Sequence, residues 1–137
     1  MKNLIAGYHR FRDTTWPDRR RLFETLAARG QAPRAAVLAC IDSRVDPAMI
    51  FDAGPGEILT IRNVANLVPP YEPDDNSHGT SAALEFAVCG MKVSDLIILG
   101  HGQCGGVSAL LANDPKTMGS FIGPWVRQAE RMIRRPP

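Results

Sequence analysis

"SDLIILGHGQCGG", residues 94–106, decides the fold. Its apolar part, "DLIILG" (95–100), is a continuous run short enough for a strand buried on both faces. Its second half gives way to glycine, and a helix is expected to begin near Gly105. His101 and Cys104 stand three apart in that turn. Such a turn serves as a metal clamp, as a nucleophile with its base, or simply as glycine-rich backbone. What separates these readings is whether a further ligand lies at a comparable place elsewhere in the chain.

Working outward, "RAAVLACI" (34–41) is a second apolar run, following Pro33, and "EILTIRN" (57–63) a third, entered through the turn signal "GPG". "DPAMIFD" between them opens with Asp46 as an N-cap and Pro47 at the first helical position. Residues 77–91, "SHGTSAALEFAVCGM", predict a helix. Ala82, Phe86 and Cys89 fall on one face of it at i, i+4 and i+7, which assigns Cys89 to packing. The proline-rich stretch 68–77 is a loop, and a weaker helix is expected over about 121–134. Residues 1–12 and 17–29 predict two short helices, with Pro17 in a first turn and Gly30 closing the second.

Strands alternating with helices give an α/β fold, a parallel β-sheet core with flanking helices. The expected organisation is a single domain over 1–137, with a helical arm at 1–30 and an α/β core at 31–137. Ligands of such sheets bind beyond the carboxyl ends of the strands. "CIDSR" (40–44) and "HGQCGG" (101–106) therefore belong to the same edge.

The chain has 137 residues, 45% apolar and 22% charged, with a net charge of +2. These values suit one globular core and lack the basic bias of a nucleic-acid binder. The basic cluster "RFRDTTWPDRRR" (10–21) has an ordinary reading as a solvated helix face. No stretch reaches the ~20 apolar residues of a membrane span. Nor does the N-terminus resemble a signal peptide, so a cytoplasmic protein is expected. Three cysteines argue against a disulfide framework. His9 and His78 are expected at the surface.

With Cys40 ending one strand and His101 and Cys104 following another, two thiolates and an imidazole form a set suited to zinc, with a fourth position open. Asp42 is a spare carboxylate nearby, able to ligate the metal or to orient a water on it. Arg44, two residues on, would hold Asp42 ionised and away from the metal through a bidentate pair. Gly105 and Gly106 allow close backbone approach at a helix start, where free amide hydrogens favour an anion. Each element has an ordinary alternative: His-x-x-Cys alone is a weak signal, and a cysteine at a buried strand end is often core.

Taken in order, "CIDSRV" (40–45), "RNVANLV" (62–68) and "GHGQCGG" (100–106) resemble the β-class carbonic anhydrases, from Gly30 to Leu111. The resemblance implies one zinc ion per chain held by Cys40, His101 and Cys104, with Asp42 and Arg44 as a catalytic dyad. It implies reversible hydration of carbon dioxide to bicarbonate and a proton through zinc-bound hydroxide. Finer matches are to the plant-like branch. Gln31 and Val64 fall at positions that bind substrate there, with the amide hydrogens near Gly105. Leu59 and Phe86 stand where that branch tends to have phenylalanine and tyrosine.

The resemblance also implies a homodimer or higher oligomer, with the N-terminal helices extending to a partner subunit. Members of the family continue past this point with a further helix and strand, so the C-terminal part of the usual domain is expected to be missing. Two thiolates leave the metal less positive than three imidazoles would, so activity is expected to rise into alkaline pH. If the Asp42–Arg44 pair breaks, Asp42 is expected to swing onto the zinc and close the site. Competing readings are a carbon disulfide or carbonyl sulfide hydrolase on the same scaffold, a catalytically silent zinc-binding oligomerisation module, and a transfer enzyme using Cys40 as nucleophile with His101 as base.

Overall fold

The structure, a computed structural model, describes residues 1–112 and 119–130. The chain divides into two compact units, Met1–Ala32 and Pro33–Pro137. Gln31 belongs to the first unit, where it is exposed.

In the first unit, helix α1 (Lys2–Arg10) passes through a wider π turn (Phe11–Thr15) directly into α2 (Trp16–Arg29). Helical structure therefore continues where the sequence predicted two separate helices. Pro17 sits in the first turn of α2, directly after the π turn, and Gly30 ends the helix with φ 82°. Trp16 and Phe23 pack with ring centroids 5.2 Å apart, and Phe11 meets Phe23 edge-on at 6.5 Å. None of the residues in these helical elements is buried.

The second unit is built on β1 (Ala35–Cys40), β2 (Ile58–Asn63) and β3 (Asp95–Leu99), in the order β2-β1-β3 and parallel throughout. Leu38 aligns with Ile61 on one side and Ile98 on the other. Flanked on both sides, the uninterrupted apolar run of β1 is the most buried part of the sheet. Parallel strands put the chain emerging from β1 and the chain emerging from β3 on the same edge, as the sequence implied.

After β1 comes the short helix α3 (Pro47–Ile50). Asp46 caps it, its Oδ1 accepting from the Met49 N–H at 3.2 Å. After β2 the backbone turns sharply at Val64–Asn66, where Ala65 and Asn66 have φ 64° and 46°. Helix α4 (Gly79–Glu85) continues into a π turn (Phe86–Gly90), α5 (Gly105–Ala112) starts where expected, and α6 (Gly119–Arg127) follows. The last helix, expected over 121–134, is α6, which starts two residues earlier and ends at Arg127; residues 131–134 lie outside the described residues.

The helix over 77–91 needs a correction. Ala82, Phe86 and Cys89 are all exposed, so Cys89 is not a packing residue of this chain. Ala87 is buried there, while Thr80 and Leu84 are half-buried. The segment "SAALEFAV" is apolar on several faces, so periodicity had no unique answer. The Asn63 side-chain amide, 3.4 Å from the Thr80 hydroxyl, marks the face turned toward β2.

Candidate metal centre

Cys40 is the last residue of β1; His101 and Cys104 lie between β3 and α5. The two sulphurs are 3.8 Å apart, and all three ligand atoms lie within 4.8 Å of one another. Both cysteines are buried, at 5% and 4% exposure. His101 Nδ1 is 3.0 Å from the Gly102 carbonyl. Donation there leaves the Nε2 lone pair free, and Nε2 is buried without a hydrogen-bond partner. A partnerless imidazole nitrogen is costly unless a metal takes its lone pair. For tetrahedral zinc with Zn–S bonds of about 2.3 Å, two sulphurs lie ~3.8 Å apart, so the residues fit this ion.

Burial pushes the Cys40 thiol up, but the backbone N–H groups of Asp42 and Ala65, together with the neighbouring His101 and Cys104 side chains, outweigh it and lower it to about 7. The Ala65 N–H is available because that residue takes a left-handed conformation, strained for an alanine. Gly106 lies over the same turn. A Cβ on Gly106 would come within 2.9 Å of both Ala65 Cβ and Val64 Cγ1. Gly105, singled out in the sequence, has open space around it. The close backbone approach is therefore at Gly106.

Asp42 and Arg44 pair as the sequence suggested, across a turn. The Arg44 side chain donates Nε to Asp42 Oδ1 at 2.9 Å and Nη2 to Oδ2 at 2.8 Å. Its backbone N–H donates to Oδ1 at 2.9 Å. These bonds hold the carboxyl well below the usual carboxylate range, with a further contribution from nearby His101. Arg44 Nη2 also reaches the Gln103 carbonyl at 3.4 Å, tying the loop after β1 to the loop after β3. Gln103 is itself left-handed, φ 54°.

A family model described as "Carbonic anhydrase" matches residues 35–136. A carbonic anhydrase of Pseudomonas aeruginosa is 38% identical over 95% of this chain and 58% of its own length. A chloroplastic beta carbonic anhydrase of Arabidopsis thaliana is 46% identical over 72% of this chain and 33% of its own. The solved structure of the beta-carbonic anhydrase CcaA superposes with a TM-score of 0.88 at 35% identity, covering 98% of this chain and 59% of that one. The chain belongs to the β-carbonic anhydrase family. It spans 58% or less of the length of these two curated relatives.

The remaining family positions are dispersed. Val64 packs against the Cys40–Cys104 cluster and borders a cavity of about 370 Å³ lined also by Asn63, Thr80, Phe121, Ile122 and Trp125. Leu59 is half-buried on β2, and Phe86 is exposed on its π turn; neither lines that cavity. Sequence reasoning missed Trp125, whose indole N–H donates to the Val64 carbonyl at 2.7 Å. It also missed Arg62, although "RN" stood inside a quoted motif. An arginine next to the end of a half-buried strand was the available signal.

Proposed function

We propose that this chain catalyses the reversible hydration of carbon dioxide to bicarbonate and a proton. The observation that carries the reading is the buried cluster of two thiols and a partnerless imidazole nitrogen within 4.8 Å, beside a carboxylate held by arginine. Cys40, His101 and Cys104 would hold one zinc ion, whose Lewis acidity makes water nucleophilic near neutral pH.

The chain's own residues supply the rest. Arg44 occupies both oxygens of Asp42, which keeps that carboxylate off the three ligands and ionised. Asp42 then serves as hydrogen-bond acceptor for the attacking water and aims its lone pair. Val64, packed against the cluster, supplies apolar contact for the gas, while the amide hydrogens near Gly105 hold an oxygen of the forming bicarbonate.

Self-association completes the reading. Leu4, Ile5, Tyr8 and Leu22 are exposed at 76%, 51%, 58% and 42%, an apolar arm suited to a second copy of the chain. No helix among the described residues is long and apolar enough to cross a membrane. Three cysteines outside any disulfide suit a reducing compartment such as the cytoplasm.

Metal analysis paired with a hydration assay, before and after chelation, tests the proposal. One zinc per chain and turnover lost on chelation are expected. Stoichiometric zinc without turnover would instead support a silent binding module. Turnover without metal, abolished by alkylating Cys40, would support a cysteine nucleophile.

A further inference from the structure

One charged side chain at this edge is neither a candidate ligand nor a member of the Asp42–Arg44 pair. Arg62 is the cation of β2, aligned with Ala39 of β1, and its side chain is 26% exposed. Its guanidinium reaches around the carboxyl end of β1. Nε and Nη2 both donate to the Cys40 carbonyl, at 3.0 and 2.9 Å. Nη2 also donates to the Asp42 carbonyl at 2.7 Å, and Nη1 to Asp46 Oδ2 at 3.2 Å. Its three partners are residues 40, 42 and 46, the segment that carries one metal ligand and the Asp42–Arg44 dyad.

We propose that Arg62 is the positioning residue of the metal centre, fixing through the Cys40 and Asp42 carbonyls where the Cys40 sulphur and the Asp42 carboxylate stand. This rests on the reading of the cluster as a zinc site. Beyond Cys40 the β1–β2 ladder ends; Arg62 gives two N–H groups to the Cys40 carbonyl and joins the Val45 N–H, 3.1 Å away, on the Asp42 carbonyl. A guanidinium offers five N–H donors in a rigid plane, so acceptors bound to one fork have fixed relative positions. Asp46 joins the same unit, because its other oxygen caps α3. Two arginines thereby divide the task. Arg44 holds the Asp42 side chain and reaches toward the β3 loop, whereas Arg62 holds the main chain from the β2 side. A lysine at 62 keeps the charge and the pairing with Asp46 but has no planar fork to span two carbonyls.

The test compares the full chain with Arg62→Lys, both loaded with zinc, by the rate at which a chromophoric chelator takes the metal. Arg62→Lys is expected to release zinc about 10–100-fold faster, the range typical for loss of a partner that orients a metal ligand. It should also lower kcat with KM unchanged. Arg62→Ala should show the same faster release, slowed again by added guanidinium, which refills the vacated fork. Val126→Ala, which removes buried bulk from a cluster that excludes segment 40–46, supplies the control for general destabilisation.

Zinc release from Arg62→Lys at the parental rate overturns the proposal. So does equally fast release from Val126→Ala. A parent chain that binds no zinc overturns the metal-site reading together with this one. A parent that binds zinc, with Arg62→Lys indistinguishable from it, overturns the role of Arg62 alone.

Discussion

β1 and β3 are paired parallel strands of similar apolar composition, and each leads into ligands of the same centre. Yet one is sealed and the other open. Ala36, Val37, Leu38 and Ala39 are 0% exposed, whereas Leu96, Ile97 and Ile98 are exposed at 44%, 38% and 46%. Leu38 and Ile98 stand opposite each other in the ladder. Their hydrophobicity is comparable, so the difference comes from neighbours: among the described residues β1 has a strand on both sides and β3 on one. Apolar sequence states what is able to be buried; position in the sheet determines how much of it is. The exits of the two strands differ as well. The segment leaving β1 is gripped by Arg62, Asp46 and Arg44. The segment leaving β3 is a short turn through left-handed Gln103.

The largest expected effect tests that contrast directly. Leu38→Ala should cost about 2–5 kcal/mol by denaturant unfolding, as for other fully buried leucines. Ile98→Ala, about half exposed, should cost only ~1 kcal/mol. Equal losses would mean that the two strands are packed alike in solution. A loss at Ile98 that grows on dilution would show that a second copy covers that face.

Chelation should separate the two strands next. Zinc held by Cys40, His101 and Cys104 would bridge a well-held segment and a less supported one, so its removal should speed amide exchange on the order of tenfold at Leu96–Leu99 and little at Val37–Ala39. A uniform change along both strands would count against unequal support.

A smaller effect concerns the glycine pair after Cys104. Gly106→Ala drives a Cβ into the Val64–Ala65 turn and should cost about 1–3 kcal/mol. Gly105→Ala meets open space and should be neutral or stabilising by ~0.5–1 kcal/mol. The reverse order would place the close approach at Gly105.

The smallest effect lies away from both strands. Asp74 accepts from the Asn76 side chain and backbone and pairs with His78 at 2.7 Å, which lowers its carboxyl to about 2. A depressed carboxyl adds stability above its ordinary value near 3.8, lost as pH falls through about 2. The Asn76 amide resonance should therefore titrate near pH 2 in the parent. A midpoint near 4 would show that the loop is not held in this arrangement.

Much of this was legible because it depends on local rules. Three continuous apolar runs bounded by turn signals became three strands, Asp46 and Pro47 started a helix, and Gly30 closed one at positive φ. The convergence of Cys40 with His101 and Cys104 followed from topology, because parallel strands deliver their carboxyl ends to one edge. Other features depend on contacts between distant residues. The helix over 77–91 is apolar on several faces, so only its contact with β2 selects the buried one. Gly105 and Gly106 are the same residue type in sequence, and the left-handed turn at Ala65 alone distinguishes them. Arg62 donates to main-chain carbonyls, which no residue pattern encodes.

By itself, then, the sequence determined the parallel α/β order, the edge where ligands gather, and the residue types able to hold zinc. Periodicity, capping and handed crossovers act within a strand or one connection and need no knowledge of the rest. The tertiary structure alone decided which apolar strand is covered, which glycine must stay a glycine, and that Arg62 clasps the segment carrying Cys40. Each of these is set by atoms brought together from far along the chain, where packing and hydrogen-bond geometry override local preference.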